Sequence, residues 1–305
     1  MKIKLLLLLF IILMITSNAF SAFRNMNWHT RARAMGGAFT AVSNDMGAMT
    51  YNVGALGYID WIETNFMYSR LFTGLDGVDM GLAYAGFIYP LNDGTFGLDW
   101  SRFVSNDLYS EDIVQLNYGY VFTNALFAGI GLSYLHHGYV LDKRTVDDPV
   151  FADKSSDSGI GISLGGKYIL YDYNLAVGVN LRNINKPDVG LKTKDIVPPE
   201  YRLGLAYTTE KFVIPVDVYF RDQEWGNNKD KWGIAIGGEY NIASFIAVRA
   251  GYGKNEVTSG FSIIRDKIFG DCDIVIDYAL IWPLTIEETT GSHQLSIIFR
   301  FGRSE

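Results

Sequence analysis

The sequence predicts an all-β protein, a transmembrane antiparallel β-barrel of about fourteen strands with a small N-terminal plug, or hatch, inside its lumen. Three observations support this prediction. After Asp60 the chain alternates between large apolar and small or polar side chains, which is typical of strands with one face toward lipid. The connections between these strands alternate between short and long, with 254–256 as the one short exception. Residues 31–60 lack the alternation and are rich in Ala and Gly.

The composition favours a membrane wall over a soluble enzyme. Of the 305 residues, 14% are aromatic and only 19% charged, and 32 Gly stand against 7 Pro. No linker or charge run divides the chain, so one domain is expected. The net charge of −7 argues against nucleic acid as a partner, because no basic stripe could displace phosphate counterions. Cys272 is the single cysteine, which excludes an intramolecular disulfide.

Residues 1–22 are predicted to be a secretory signal peptide. Lys2 and Lys4 precede an apolar run over 5–15, and a small-x-small sequence follows at 17–19, so cleavage is expected between residues 19 and 22. The alternative is a retained anchor, but a membrane helix needs roughly 20 apolar residues. The mature chain is therefore expected in the bacterial outer membrane as a multi-pass barrel.

Residues 23–60 are predicted to form the plug. One short helix is expected in its middle, with Ser43 or Asn44 as the N-terminal cap and Asn52 and Gly54 at its end. Its small and apolar side chains could simply fill gaps against the wall, or they could form an adaptable ligand pocket. The candidate ligand-binding or plug residues are Met35, Gly36, Gly37, Phe39, Asp45, Met49, Tyr51, Asn52 and Gly54.

Residues 61–305 are predicted to form the barrel. The candidate strands are 62–71, 78–90, 94–104, 111–122, 125–141, 157–170, 174–183, 199–208, 211–221, 231–241, 245–253, 257–268, 272–282 and 291–301. Most of them are close to the length of about 9–11 residues that tilted membrane strands need. An even strand count places both chain ends at the rim with the short turns, which is the periplasmic rim in such barrels.

Eight charged residues share the inward parity of the small and polar residues. They could pair with one another and anchor the plug, or they could line a permeation path. These lumen charges are Asp99, Lys167, Arg182, Arg202, Asp217, Glu239, Asp277 and Arg300.

Residues suited to catalysis are few. His136 and His137 follow Ser133, with Asp142 further on, but neighbouring strand residues point to opposite faces, so only one of the two histidines can face the lumen. No second Ser/His/Asp set has a useful spacing. We therefore assign no catalytic residue, no metal site and no cofactor, and expect a protein that is not an enzyme. An outer-membrane lipid-modifying enzyme is the least favoured alternative.

The N-terminal segment resembles that of the PorV/PorQ family of outer-membrane proteins, which are related to FadL-type fatty acid transporter barrels. The matching motifs are AMGGAFTAV at 34–42, ND at 44–45, YN at 51–52 and GAL at 54–56. Further similarity lies at 181–188, 199–204, 249–252, 277–279 and 293–302. Where the family has Asn-Pro-Ala-Gly, this chain has Asn-Val-Gly-Ala at 52–55. Without the proline the backbone is less restrained, so residues 52–57 are the predicted mobile part of the plug.

The resemblance implies two roles that the sequence does not separate. One is an accessory or attachment role in type IX-like protein secretion, with envelope proteins of the secretion system as partners. The alternative is FadL-like passage of hydrophobic molecules such as long-chain fatty acids, with a hydrophobic small-molecule ligand. Outer-membrane lipids are expected partners in both cases.

Overall fold

The computed structural model describes residues 22–23, 28–143, 145–221 and 231–302. In this part of the chain fourteen antiparallel strands form a closed barrel, in which sequence neighbours pair and β1 closes the ring against β14. The strands are β1 Ile62–Leu71, β2 Met80–Leu91, β3 Gly94–Ser105, β4 Tyr109–Val121, β5 Leu126–Tyr139, β6 Ser156–Leu170, β7 Leu175–Arg182, β8 Glu200–Thr208, β9 Phe212–Arg221, β10 Trp232–Ala243, β11 Ile246–Gly253, β12 Glu256–Phe269, β13 Cys272–Pro283 and β14 Ser292–Phe301.

The fold class predicted from the alternation is confirmed, and each predicted strand end lies within two residues of the observed one. Strand β8 shows why the alternation predicts it so well. Its buried residues Glu200, Arg202, Gly204 and Ala206 alternate with the exposed Tyr201, Leu203 and Leu205. The apolar side chains therefore cover the outside of the ring and the polar ones face inward, the reverse of a water-soluble barrel.

The two rims of the barrel differ in their connections. One rim, the short-turn rim, carries 92–93, 122–125, 171–174, 209–211, 244–245 and 270–271; the other, the long-loop rim, carries 72–79, 106–108, 140–155, 183–199, 222–231, 254–255 and 284–291. The predicted alternation of lengths is less regular than expected, because 106–108 is also short. Most of the 222–231 connection lies outside the described residues. Two short 3-10 helices, Pro149–Phe151 and Tyr171–Tyr173, lie in the connections.

Residues 28–61, the N-terminal segment, contain three short helical pieces: α1 Thr30–Ala34, α2 Ala48–Tyr51 and a 3-10 helix Val53–Tyr58. The prediction that Ser43 or Asn44 caps the helix is wrong, since Gly47 precedes α2. The Ser43 hydroxyl donates to the Phe39 carbonyl instead, and the Asn44 side chain accepts from Arg31. The predicted end at Asn52 is confirmed.

The N-terminal segment runs from the long-loop rim to the short-turn rim along the inward-facing residues of the strands. Near its start the Trp28 carbonyl accepts from Gln294, and near its end the Ile59 carbonyl accepts from Thr95. Among the described residues no helix is both long and apolar enough to cross a membrane. The predicted signal peptide, except Ala22, lies outside the described residues, and the division at residues 22 and 60 stays a prediction.

Candidate functional site

The candidate site is the interface between the N-terminal segment and the inner wall. All nine residues predicted from the segment lie in it and are buried, and the eight predicted lumen charges all face it. The structure brings the two groups together at several places, which are described below. Their role in binding a ligand stays a prediction.

On one side of this interface glycine residues of the wall contact the N-terminal segment. At eight positions a Cβ atom would lie within 3.0 Å of a backbone atom of the N-terminal segment. Their strands, β4 to β8, β10 and β11, follow one another around the ring except for β9. We call this set the glycine arc: Gly119, Gly129, Gly165, Gly178, Gly204, Gly237, Gly251 and Gly253. Backbone therefore packs directly on backbone there, with no side chain between.

Two glycines of the segment are needed for this close approach. Gly36 has a φ of +69°, and a Cβ on it would lie 2.5 Å from the Tyr252 carbonyl oxygen, so it has both a conformational and a steric reason to be glycine. A Cβ at Gly54 would lie 2.5 Å from the Gly165 carbonyl carbon. The backbone at Gly54 thus has no free space toward the wall.

The packing also opposes the predicted mobility of residues 52–57. This stretch is buried and mostly in the 3-10 helix. The Asn52 side chain donates to the carbonyls of Thr40 and Gly166, over 2.8 and 2.9 Å, and its oxygen accepts from Gly54. In this chain, which lacks the family's proline, these hydrogen bonds restrain the same stretch of backbone.

Charged side chains connect the segment with strands β10, β11 and β13. Arg31 contacts Asp45 and Glu239, each over 2.8 Å. Arg249 then contacts Glu239 over 2.6 Å and Asp277 over 3.3 Å. The order Asp45, Arg31, Glu239, Arg249, Asp277 alternates in sign, so each buried charge has an opposite neighbour, as low-dielectric surroundings require.

These contacts shift the ionisation of the segment's own groups. Burial alone would lower the pKa of the Arg31 guanidinium, but Glu239 and Asp45 raise it well above its usual value. Burial alone would raise the pKa of the Asp45 carboxyl, but His29, Arg31 and Arg300 hold it far below its usual value. Both groups are therefore charged across the physiological range.

A second charged group holds the middle of the segment. One oxygen of Asp217 accepts from the backbone N–H groups of Phe39 and Thr40, over 3.0 and 3.1 Å, and from the Thr40 hydroxyl over 2.6 Å. Arg202 balances the Asp217 carboxylate over 3.3 Å. The same guanidinium also contacts the Glu200 carboxylate over 2.8 Å. Wall carboxylates thus replace the hydrogen bonds that an irregular backbone cannot make to itself.

Two cationic side chains of the wall donate to backbone carbonyls of the segment, and not to carboxylates. Lys167 Nζ donates to the Val42 and Ser43 carbonyls, over 2.7 and 3.1 Å, and lies 4.4 Å from the centre of the Tyr58 ring. Arg182 donates to the Thr50 carbonyl. These two predicted lumen cations therefore anchor the segment through its backbone.

The last two predicted charges differ from each other. Arg300 contacts Glu63 over 2.9 Å, and Glu63 also accepts from the Met46 N–H over 3.0 Å. Asp99 has only the Tyr84 hydroxyl, 3.3 Å away, and its other oxygen has no partner among the described residues. Sequence reasoning missed Glu63, Glu200 and Arg249 as lumen charges, although their inward parity was a signal that could have identified them.

An apolar cluster lies on the side of the segment that faces β1 to β5. At the long-loop rim it contains Phe23, Leu135, Val189 and Val197, and all four side chains are almost completely buried. It continues between the segment and the wall through Trp28, Met46, Met49, Val53, Leu56, Ile59, Met67, Leu82, Tyr84, Ile88 and Ile113. Three methionines in one cluster give it side chains that can repack.

The two histidines of β5 point to opposite faces, as their spacing predicts. His137 is buried and its Nε2 lies 2.7 Å from the Val189 carbonyl. His136 contacts Ser158 over 2.9 Å. Within the described ranges no cluster of three or more His, Cys, Asp or Glu side chains could hold a metal ion.

Comparison with known proteins identifies the fold. No protein-family model matches the chain, and no curated protein matches it by sequence. Among solved structures, the toluene transporter TodX of P. putida superposes with a TM-score of 0.62 at 14% identity, over 92% of this chain and 100% of that one. The toluene transporter TbuX of Ralstonia pickettii gives 0.61 at 14%, over 93% and 100%.

A FadL homologue of Pseudomonas aeruginosa also matches, with a TM-score of 0.61 at 12% identity over 92% of this chain and 98% of that one. Identities this low establish the fold alone, which is that of the FadL-like barrels. They support the FadL side of the sequence resemblance, and none of them supports the PorV/PorQ side.

Proposed function

We propose that this protein is an outer-membrane channel through which small hydrophobic molecules pass. The observation that carries the proposal is the continuous apolar cluster that begins at the long-loop rim and extends between the N-terminal segment and strands β1 to β5. The cluster packs the segment against the wall, and it also lines the depth of the lumen with apolar side chains. An apolar solute that enters at Leu135 and Val189 would find apolar contacts on both sides.

Away from this cluster, including the short-turn ends of β4 and β5 where Gly119 and Gly129 lie, the segment offers no comparable route. Along the glycine arc the segment backbone lies against the wall backbone, which leaves no space for a solute. On the apolar side, in contrast, the flexible methionines can change rotamer at low cost, since the one side-chain hydrogen bond shown for them within the described residues is the weak contact of Asn117 to the Met49 sulfur over 3.4 Å. The segment then acts as a plug that allows passage along one side only.

The ligand class follows from the same cluster. Its side chains are aliphatic, aromatic and thioether groups, so a neutral molecule of aromatic or acyl character fits better than a sugar or an ion. The similar structures named above include two toluene transporters. We therefore propose a monoaromatic hydrocarbon or a fatty acyl chain as the molecule that passes.

The test is uptake by proteoliposomes that contain the purified barrel and a luminal trap for the solute. Leu135→Trp adds volume to the buried outer end of the apolar cluster, and we expect uptake of radiolabelled toluene to fall at least tenfold. Leu132→Trp is the matched control, because Leu132 lies on the same strand but faces outward. Unchanged uptake in Leu135→Trp, with the heat-modifiable gel shift of a folded barrel, would refute the route.

The secretion role stays a prediction that no described feature favours. A pull-down from native membranes with mass spectrometry of proteins and lipids compares the two roles. Stoichiometric apolar ligand supports passage, and a stable complex of envelope proteins without such a ligand supports secretion. Channels and transporters as structural neighbours agree with a role that is not enzymatic. The outer-membrane location is tested by fractionation.

A further inference from the structure

Two carboxylates converge on the backbone nitrogens of Ala22 and Phe23 at the long-loop rim. The Ala22 nitrogen donates to Asp195 Oδ2 over 3.3 Å, and the Phe23 nitrogen donates to Glu111 Oε1 over 2.8 Å. Glu111 lies near the start of β4 and is 8% exposed, whereas Asp195 lies in the connection between β7 and β8. These residues are far apart in sequence, so the fold itself brings the two acids to one place.

Neither acid forms an ion pair with any described residue, and only neutral or N–H donors contact them. The Tyr109 hydroxyl donates to Glu111 over 2.8 Å. Burial raises the pKa of Asp195, although the Ala22 N–H and His137 act in the opposite direction. Elsewhere in the lumen most buried carboxylates face a guanidinium. Two partly desolvated carboxylates with no cation would be costly.

The sequence supplies a cation at this point. Ala19 and Ser21 are small residues with one residue between them, so the bond between Ser21 and Ala22 suits a signal peptidase as well as the bond after Ala19 does. Hydrolysis of that bond consumes one water, leaves a carboxylate on Ser21 and leaves an ammonium group on Ala22. The Ala22 nitrogen would then donate three protons and carry a positive charge.

We propose that the long-loop rim carries a binding site for an α-ammonium group, formed by Asp195 and Glu111, and that its ligand is the processed N-terminus of this chain, Ala22. The ammonium balances one of the two negative charges through a charge-assisted hydrogen bond to Asp195, and such a bond is about twice as strong as a neutral one. Glu111 meanwhile accepts from the adjacent Phe23 N–H. The next residue strengthens the attachment. Phe23 is 1% exposed, and its ring meets His137 edge-on at 6.1 Å. This site does not depend on what the barrel transports.

The first experiment is the intact mass of the mature protein extracted from outer membranes, which is expected to begin at Ala22. The second is reductive methylation of the folded protein with ¹³C-formaldehyde and titration of the α-amine signal by NMR. We expect its pKa to lie at least one unit above the ordinary range of about 7.7 to 8.0. The double variant Glu111→Gln, Asp195→Asn should return it to that range, and each single variant should fall between.

Asp153→Asn is the matched control, because Asp153 is an exposed acid of another connection at the same rim. It should leave the α-amine titration unchanged. An unboiled gel tests whether each variant is folded. If the double variant does not fold, the titration of Asp195→Asn alone tests the proposal. A mature N-terminus at Phe20, or an α-amine that titrates in the ordinary range in both the wild type and the variants, would overturn the proposal.

Discussion

The N-terminal segment meets the barrel in two different ways on its two sides. Along the glycine arc, on β4 to β8, β10 and β11, the contact is backbone on backbone. Along β13, β14 and β1 the wall instead presents polar side chains, and we call this the polar arc: Glu63, Asn65, Asp277, Gln294, Ser296 and Arg300. At the glycines the contact is specified by shape, although charged side chains of the same strands, such as Lys167 and Glu239, also bind the segment. In the polar arc the contact is specified by charge and hydrogen bonding.

The two arcs differ most in how fully their groups are satisfied. In the polar arc both amide atoms of Asn65, the Ser296 hydroxyl and one Asp277 oxygen have no partner within the described residues. Buried polar groups are normally paired with protein or with water, so water could bind on this side. The glycine arc has no side-chain atoms to hydrate. Bound water can therefore contribute to the contact along the polar arc but not at the glycines.

The largest expected effect comes from removing the charge that joins the two arcs. Glu239 contacts both Arg31 and Arg249, so Glu239→Ala leaves two buried guanidinium groups without it. Breaking a buried pair in this way costs about 3 to 5 kcal/mol. Chemical unfolding in detergent, followed by tryptophan fluorescence, measures the loss. Glu210→Ala, at an exposed turn residue, should change the free energy of unfolding very little.

The next effect tests whether shape defines the glycine arc. A Cβ at Gly178 would lie 2.2 Å from the Thr40 carbonyl oxygen, so Gly178→Ala should destabilise by about 1 to 3 kcal/mol, as overpacking does. At Gly238, one residue beyond the arc's Gly237, a Cβ would have no neighbour within 4 Å. If Gly178→Ala and Gly238→Ala unfold at the same denaturant concentration, the arc is not a steric contact.

The difference between the arcs also explains what the sequence could predict. The strands follow from the alternation of side chains within each strand, and Tyr201 to Ala206 illustrate it. Lumen charges such as Asp217 follow from the same alternation. These features need only the parity of neighbouring residues.

The interior arrangement could not be predicted in this way. Gly178 meets Thr40 and Gly251 meets Gly36 only because the closed ring brings distant parts of the chain together. The start of α2 was predicted wrongly because Ser43 and Asn44 form hydrogen bonds within the segment that compete with capping. Nothing local in the sequence indicates that Asp195 and Glu111 approach the neighbouring nitrogens of Ala22 and Phe23.

A smaller effect concerns the pH dependence of the stability that Asp45 contributes through its pair with Arg31. The pKa of Asp45 is lower in the folded protein than the value of about 3.9 in an unfolded chain. Its contribution is therefore complete above that value and is lost as the pH falls toward the folded pKa. We expect the difference in the free energy of unfolding between the wild type and Asp45→Asn to become smaller as the pH falls below about 4. A difference that stays constant between neutral and strongly acidic pH would contradict this assignment.

The smallest effect is expected in the polar arc, at the residue with no partners. Asn65→Leu removes an amide whose two polar atoms form no hydrogen bond with described residues, so the change should be neutral or slightly stabilising. Gln294→Leu is the comparison, since Gln294 donates to Trp28 and Thr30 and its loss should cost about 1 kcal/mol. Equal unfolding midpoints for these two variants would remove the distinction between paired and unpaired members of the arc.

The pair Glu63 and Arg300 bears on the order of assembly. Strands β1 and β14 are the first and last of the ring, and these two residues face each other across their junction. Glu63 also accepts the Met46 N–H, so the segment is tied to the seam at which the cylinder closes. β14 is synthesised last and can complete this three-part contact only when the segment is already in place. Biogenesis should therefore close the ring around the segment, and a folding intermediate with an open seam should leave Met46 accessible to protease.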